Sequence, residues 1–152
     1  MSASSTPLLV RRRLLIVEDS DDDFYAFERA VRAHQDKLAL IRLARGDEAR
    51  DWLSAANRGE HRLPDLIILD LNMPGLNGHQ VLEFIKNTEG LRHIPVVIFT
   101  TSDNPEEVEA AYDHYANAFQ VKPLNYDALK AEVSSLIEYW TSLAELPGER
   151  EL

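Results

Sequence analysis

Three carboxylates, one hydroxyl and one ammonium, each placed directly after a short apolar run, are the residues of this chain that could do chemistry together. Glu18 and Asp19 follow Leu14-Leu15-Ile16-Val17, and Asp70 follows Leu66-Ile67-Ile68-Leu69. Thr100 follows Val96-Val97-Ile98-Phe99, and Lys122 follows Ala118-Phe119-Gln120-Val121. Carboxylates gathered in one pocket raise one another's cost of ionisation, and a hard divalent cation relieves that repulsion. All-oxygen ligation suits Mg²⁺, which keeps several waters and is held by few protein ligands, usually together with a phosphate. A hydroxyl and an ammonium at the same pocket can hold the oxygens of a phosphoryl group. The set therefore predicts phosphoryl chemistry centred on Asp70.

Each of these residues also has a plainer reading when taken alone. A threonine after a strand is usually a cap or turn residue, and a terminal lysine usually points to water. Asp21-Asp22-Asp23 reads as a solvated acidic helix start, favoured by the helix dipole. An EF-hand through Asp19, Asp21 and Asp23 fails, because Phe24 stands at the required glycine and Ala30 at the bidentate glutamate. Only joint placement by the fold makes the five residues a site.

The elements that could place them alternate along the chain. Apolar runs bounded by turn residues read as strands buried on both faces, the clearest being Leu66 to Leu69, framed by Pro64 and Pro74. Strands are expected at Leu14 to Val17, Leu38 to Leu43, Leu66 to Leu69, Val96 to Phe99 and Ala118 to Val121. Between them lie helical spacings. Ser20 caps a helix to about His34, with Asp23 as the acid reaching back and Phe24, Phe27 and Val31 as its stripe. Further helices run over Asp47 to Asn57, Gly78 to Asn87, from Pro105 after a cap at Asp103 or Asn104, and from Tyr126 to Leu143. Five βα units predict an α/β fold, a doubly wound parallel sheet with helices on both faces. In the flavodoxin-like order 2-1-3-4-5, the carboxyl ends of strands one and three lie side by side, where ligands collect. Residues 1–12 are expected to form a disordered tail, 13–143 the domain and 144–152 a loose end.

Composition narrows the class. The chain has 152 residues, enough for one domain with a full core. A net charge of −10 argues against a nucleic-acid surface. The absence of cysteine excludes disulfides and thiolate chemistry. No apolar run approaches a membrane span, and Leu8 to Val10 is too short for a signal core, so the expected location is the cytoplasm. Arg11-Arg12-Arg13 reads as a solvated strand entry, and the five histidines show no metal-ligand spacing.

From about Arg13 to Trp140 the chain resembles a CheY-like receiver domain of a two-component response regulator. The motifs that carry the resemblance are Val17-Glu18-Asp19, Leu69-Asp70-Leu71-Asn72-Met73-Pro74 with Gly78, Phe99-Thr100-Thr101-Ser102 and Val121-Lys122-Pro123. Thr100 and Lys122 stand 30 and 52 residues after Asp70, separations the family shows. Five elements in order are specific, while any one alone is weak. The resemblance implies that Asp70 is the phosphoacceptor, attacking the phosphohistidine of a sensor histidine kinase. It implies that Asp19, Asp70 and the main-chain carbonyl of Asn72 ligate Mg²⁺, with Glu18 acting through a bound water. Lys122 would neutralise the transferring group, and Thr100 would bond it afterwards while Phe119 turns inward as the aromatic switch. The Lys122–Pro123 peptide is expected to be cis. Three residues depart from the commoner pattern. Glu18 replaces an aspartate, Phe119 a tyrosine, and Thr101 a small alanine.

Within the family the chain is similar to small single-domain regulators that partner phytochrome kinases, on the strength of Thr100-Thr101-Ser102, the Tyr112 to Phe119 stretch and Tyr139-Trp140. Twelve residues follow Trp140, too few for a DNA-binding module, so output is expected through protein contact. Tyr126, Tyr139 and Leu143 extend apolar surface beyond the stripe of Leu129, Val133, Leu136, Ile137 and Trp140, which points to a homodimer through the last helix. No nucleotide-binding glycine loop exists, so the chain is expected to accept phosphate and not to be an enzyme beyond its own phosphorylation and dephosphorylation. Two other classes compete. An aspartyl-phosphate phosphatase needs a second aspartate where Asn72 stands. A phosphate-blind docking module would have no use for the intact acidic set.

Overall fold

The computed structural model describes residues 11–34 and 38–147. Five strands alternate with five helices: β1 (Arg12–Val17), α1 (Asp21–Arg32), β2 (Leu38–Leu43), α2 (Gly46–Asn57), β3 (Leu66–Leu69), α3 (Gly78–Asn87), β4 (Val96–Thr100), α4 (Pro105–Asp113), β5 (Ala118–Val121) and α5 (Tyr126–Glu138). All pairings are parallel and the order is β2-β1-β3-β4-β5, as the alternating pattern predicts.

The two faces of the sheet are read directly from alternate residues. Leu15, Val17, Ile67, Leu69, Val96 and Ile98 point to one side and pack with Ala49, Leu53, Val81, Leu82, Ile85 and Ala111 from α2, α3 and α4. Leu14, Ile16, Leu66, Ile68, Val97 and Phe99 point to the other and pack with Phe27 and Val31 of α1 and Leu129, Val133, Leu136 and Ile137 of α5. Period-two alternation between two helical layers is why these strands carry no polar face. The helix starts follow their caps. The side chains of Ser20, Asn77, Asn104 and Asn125 each accept a main-chain N–H of the first turn, and Asn77 forms a full capping box with Gln80.

The chain differs from the sequence expectation at its ends. β1 begins at Arg12, inside the expected tail, and most of that tail lies outside the described residues. The last helix does not run unbroken to Leu143. After Glu138 it widens into a π turn over Tyr139–Leu143, closed by Ala144 N donating to the Tyr139 carbonyl at 2.7 Å. This turn directs the chain back so that Leu146 is only 6% exposed in the α1–α5 core. The ordered domain thus reaches past 143, because an apolar residue within the expected loose end finds a place to bury; the part after Pro147 lies outside the described residues.

A candidate metal and phosphoryl site at the carboxyl ends of the strands

Backbone contacts bring the strand ends together before any side chain acts. Asp70 N donates to the Val17 carbonyl at 3.1 Å, Glu18 N to Leu43 and Lys122 N to the Thr100 carbonyl at 2.6 Å. Glu18 and Asp70 therefore end neighbouring strands, and Thr100 ends the strand between those of Asp70 and Lys122. A glycine is required close by. A Cβ on Gly78 would lie 2.2 Å from the Asp70 carbonyl oxygen and 2.6 Å from Leu71 Cα, so only glycine lets α3 start this near the Asp70 loop.

Glu18, Asp19 and Asp70 each offer a carboxylate oxygen within 4.8 Å of the others. Glu18 and Asp70 are buried, while Asp19 is exposed, and among the described residues its side chain has no hydrogen-bond or ion-pair partner. The Lys122 ammonium, 4% exposed, donates to Glu18 Oε1 at 2.5 Å, Asp23 Oδ2 at 2.7 Å and Asp70 Oδ2 at 3.2 Å, which uses all three of its protons. Glu18 Oε2 accepts Ser20 N, and Asp70 Oδ1 accepts Asn72 N at 3.3 Å. The Thr100 side chain is fully buried, its Oγ1 accepting Ser102 N. Phe119 is half-buried against the core, and its N–H donates to the Tyr112 hydroxyl at 3.2 Å on the outer edge of the sheet.

The electrostatics follow from three acids facing one ammonium. Burial pushes the Glu18 carboxyl up to about 8, with Lys122 opposing and Asp70 adding to the rise. Burial works against the Lys122 charge, but Glu18, Asp70 and the hydrogen bond that the ammonium donates to Asp23 outweigh it and hold the lysine above its usual value. Both directions describe one cluster with more negative than positive charge, which takes up a proton readily. A donor set of hard oxygens with surplus negative charge fits a divalent cation.

Two sequence expectations need correction. The Lys122–Pro123 peptide is not cis, since no cis peptide occurs among the described residues. The trans preference of an X–Pro bond, about 0.5–1 kcal/mol, is not overturned here, and three carboxylates and the Thr100 carbonyl hold the lysine without it. Asp23 is also not merely a solvated helix acid that reaches back to its own cap. Ser20 Oγ does accept Asp23 N, but the carboxylate turns to Lys122. Asp21 instead pairs with Arg42 at 2.8 Å, and that guanidinium also donates to the Glu18 carbonyl. The only sequence signal for Asp23 was its place in the first turn after Glu18-Asp19, a position that fits a cap equally well.

The response regulator receiver domain model matches residues 14–134. The chain belongs to the receiver-domain family. FilR2 of Methanothrix harundinacea is 40% identical over 103 residues, which span 68% of this chain and 66% of that protein. Rcp1 of Synechocystis is a response regulator 34% identical over 149 residues, 97% of this chain and 99% of its own length. Among solved structures, the phosphorylated cyanobacterial phytochrome response regulator RcpA superposes with a TM-score of 0.86 at 31% identity, covering 91% of this chain and 100% of that one. The Mn²⁺-bound form of Rcp1 gives 0.85 at 33% identity over 90% and 99% of the two chains. The chain is thus a receiver domain homologous to single-domain response regulators, and its acidic cluster fits a divalent metal.

Proposed function

We propose that Asp70 accepts a phosphoryl group from the phosphohistidine of a sensor histidine kinase. The observation that carries this reading is the convergence of Glu18, Asp19 and Asp70 around one pocket with Lys122 bonded into it. A carboxylate oxygen of Asp70 attacks phosphorus as the bond to the histidine nitrogen breaks, giving an acyl phosphate on Asp70 and a neutral histidine on the kinase once the ring nitrogen regains its proton. Asp19 and Asp70, with the main-chain carbonyl of Asn72, would hold Mg²⁺ directly and Glu18 through a water. A cation there supplies positive charge opposite the oxygens of the transferring group. Lys122 offers its ammonium to the same oxygens, and Thr100, buried between Asp70 and Lys122 in strand order, offers its hydroxyl. Phe119 responds to Thr100 along β4 and β5, whose residues Thr100 and Val121, Ile98 and Phe119 are paired.

The partner we favour is a phytochrome-type kinase in the cytoplasm, supported by the similarity to RcpA, which is a phytochrome response regulator. Tyr126, Tyr139 and Leu143 are 39%, 51% and 71% exposed, which supports a homodimer through the last helix. The phosphatase reading lacks its acid, because Asn72 stands there with its main chain bonded to Asp70. The deciding experiment is incubation with acetyl phosphate and Mg²⁺ followed by intact mass. One added phosphoryl group on the wild type and none on Asp70→Asn is expected; an equal gain on both removes Asp70 as the acceptor.

A further inference from the structure

The Lys122 ammonium is shared by three carboxylates, and they are not equivalent. Two of them, Glu18 and Asp70, belong to the set whose oxygens lie within 4.8 Å of one another around the candidate metal position. The third, Asp23, comes from α1 and lies outside that set, yet its Oδ2 is 2.7 Å from Nζ, closer than Asp70 at 3.2 Å. Its side chain is 22% exposed, against 3% for that of Lys122, so Asp23 forms the solvent-side wall of the lysine's cage. A divalent cation held by Asp70 directly and by Glu18 through a water would draw on the carboxylates that Lys122 bonds, and two like charges in one pocket repel. The cation therefore loosens the lysine's hold on those two acceptors, and among the described residues the third carboxylate bonded to the ammonium, Asp23, lies outside the candidate metal set.

We propose that Asp23 is a positioning residue for Lys122: it keeps the ammonium at the pocket when Glu18 and Asp70 turn to a divalent cation, and so makes room for the metal without losing the lysine. This inference rests on the phosphoacceptor reading and adds a residue to it. It assigns Asp23 no contact with metal or phosphoryl group. Removing its charge leaves Lys122 with no carboxylate partner except those the cation draws on, so the ammonium competes harder for them.

The test is a double-mutant cycle on Mg²⁺ affinity, measured by calorimetry with MgCl₂ alone and no phosphodonor. Asp23→Asn is expected to weaken Mg²⁺ binding about tenfold, the value of one charge-assisted hydrogen bond. Asp22→Asn, which removes an equal charge from the same exposed helix start, is expected to weaken it less than about threefold by the general field alone. In a Lys122→Met background, Asp23→Asn should do no more than Asp22→Asn, because nothing is left to hold. Asp23→Glu, whose carboxylate still reaches, should stay within about threefold of wild type. With acetyl phosphate and saturating Mg²⁺, Asp23→Asn should lower the maximal rate of acceptance while Asp22→Asn does not. The proposal is overturned if Asp23→Asn equals Asp22→Asn in the wild-type background, if its effect persists undiminished without Lys122, or if Asp23→Glu is as weak as Asp23→Asn. A wild type that binds Mg²⁺ but gains no phosphoryl mass sinks the phosphoacceptor reading and leaves the cycle readable. A wild type that binds no Mg²⁺ sinks both.

Discussion

Lys122→Met removes the one cation that, among the described residues, is bonded to the carboxylates of Glu18, Asp23 and Asp70, and keeps most of the side-chain volume. The ammonium sits 2.5, 2.7 and 3.2 Å from oxygens of Glu18, Asp23 and Asp70. At an effective dielectric of about 20, each of these attractions is worth about 5–7 kcal/mol before desolvation. Burying the ammonium and two of the acids offsets most of that sum, and deletion of one partner from a buried ion cluster costs about 3–5 kcal/mol net. The variant should therefore lose about 3–5 kcal/mol by urea denaturation in EDTA near pH 8. The loss should shrink on acidification, as Glu18 takes up its proton and less charge is left unpaired. Mg²⁺ should restore much of it, since a dication replaces the missing charge. Mg²⁺ at a hundred times its dissociation constant adds about 2.7 kcal/mol to any protein that binds it only when folded. The variant, freed of the competing ammonium, should gain more than the wild type at equal Mg²⁺ concentration. A variant at least as stable as wild type in EDTA would refute the reasoning, as would equal gains from Mg²⁺ in both proteins.

Three further outcomes are expected. Glu18 is raised from 4.5 to about 8, so it holds its proton more tightly folded than unfolded. That contribution to stability is complete below about pH 4.5 and is lost as pH rises through about 8. Mg²⁺ binding should accordingly release a proton and tighten with pH up to that value, which calorimetry in buffers of different ionisation enthalpy measures; proton-neutral binding would contradict it. Gly78→Ala should cost about 1–3 kcal/mol or more in urea midpoint and weaken Mg²⁺ binding, because its Cβ meets the Asp70 carbonyl at 2.2 Å and backbone cannot give way; unchanged stability would mean that α3 shifts freely. Tyr112→Phe should cost about 1 kcal/mol, the worth of its hydroxyl's bond to Phe119 N, by the same assay, and no loss would mean that water takes over the donor.

The parts legible in the sequence are those where one physical rule had no competitor. Leu66 to Leu69 and Val96 to Phe99 are buried on both faces and could be little but central strands. Once five βα units were counted, parallel topology alone placed Glu18, Asp70, Thr100 and Lys122 at one end of the sheet. The parts that were not legible turn on choices between near-equal local options. Asp23 at the third helical position could serve its own helix or Lys122, and only the distance across to β5 decides between them. The Lys122–Pro123 bond could take either isomer at about 0.5–1 kcal/mol. The π turn at Tyr139 and the burial of Leu146 depend on packing into the core on the α1–α5 side of the sheet, which no periodicity encodes.

The same lysine that answers the acids in the metal-free protein is the one we propose at the transferring phosphoryl group. A dication drawing on Glu18 and Asp70 would loosen their bonds to Lys122, so the site would have a second arrangement beside the one seen. In the first the ammonium is satisfied by three carboxylates and none of its protons is available. In the second, the protons now bonded to Glu18 and Asp70 would become available to a phosphoryl group. Lys122 as well as Asp70 would then be readied by metal binding, and acceptance should depend on Mg²⁺ more steeply than charge neutralisation alone requires. A buried lysine caged by acids would in this sense gate the chemistry of Asp70, and the stability that its three ion pairs add in the absence of metal is what would keep the gate closed.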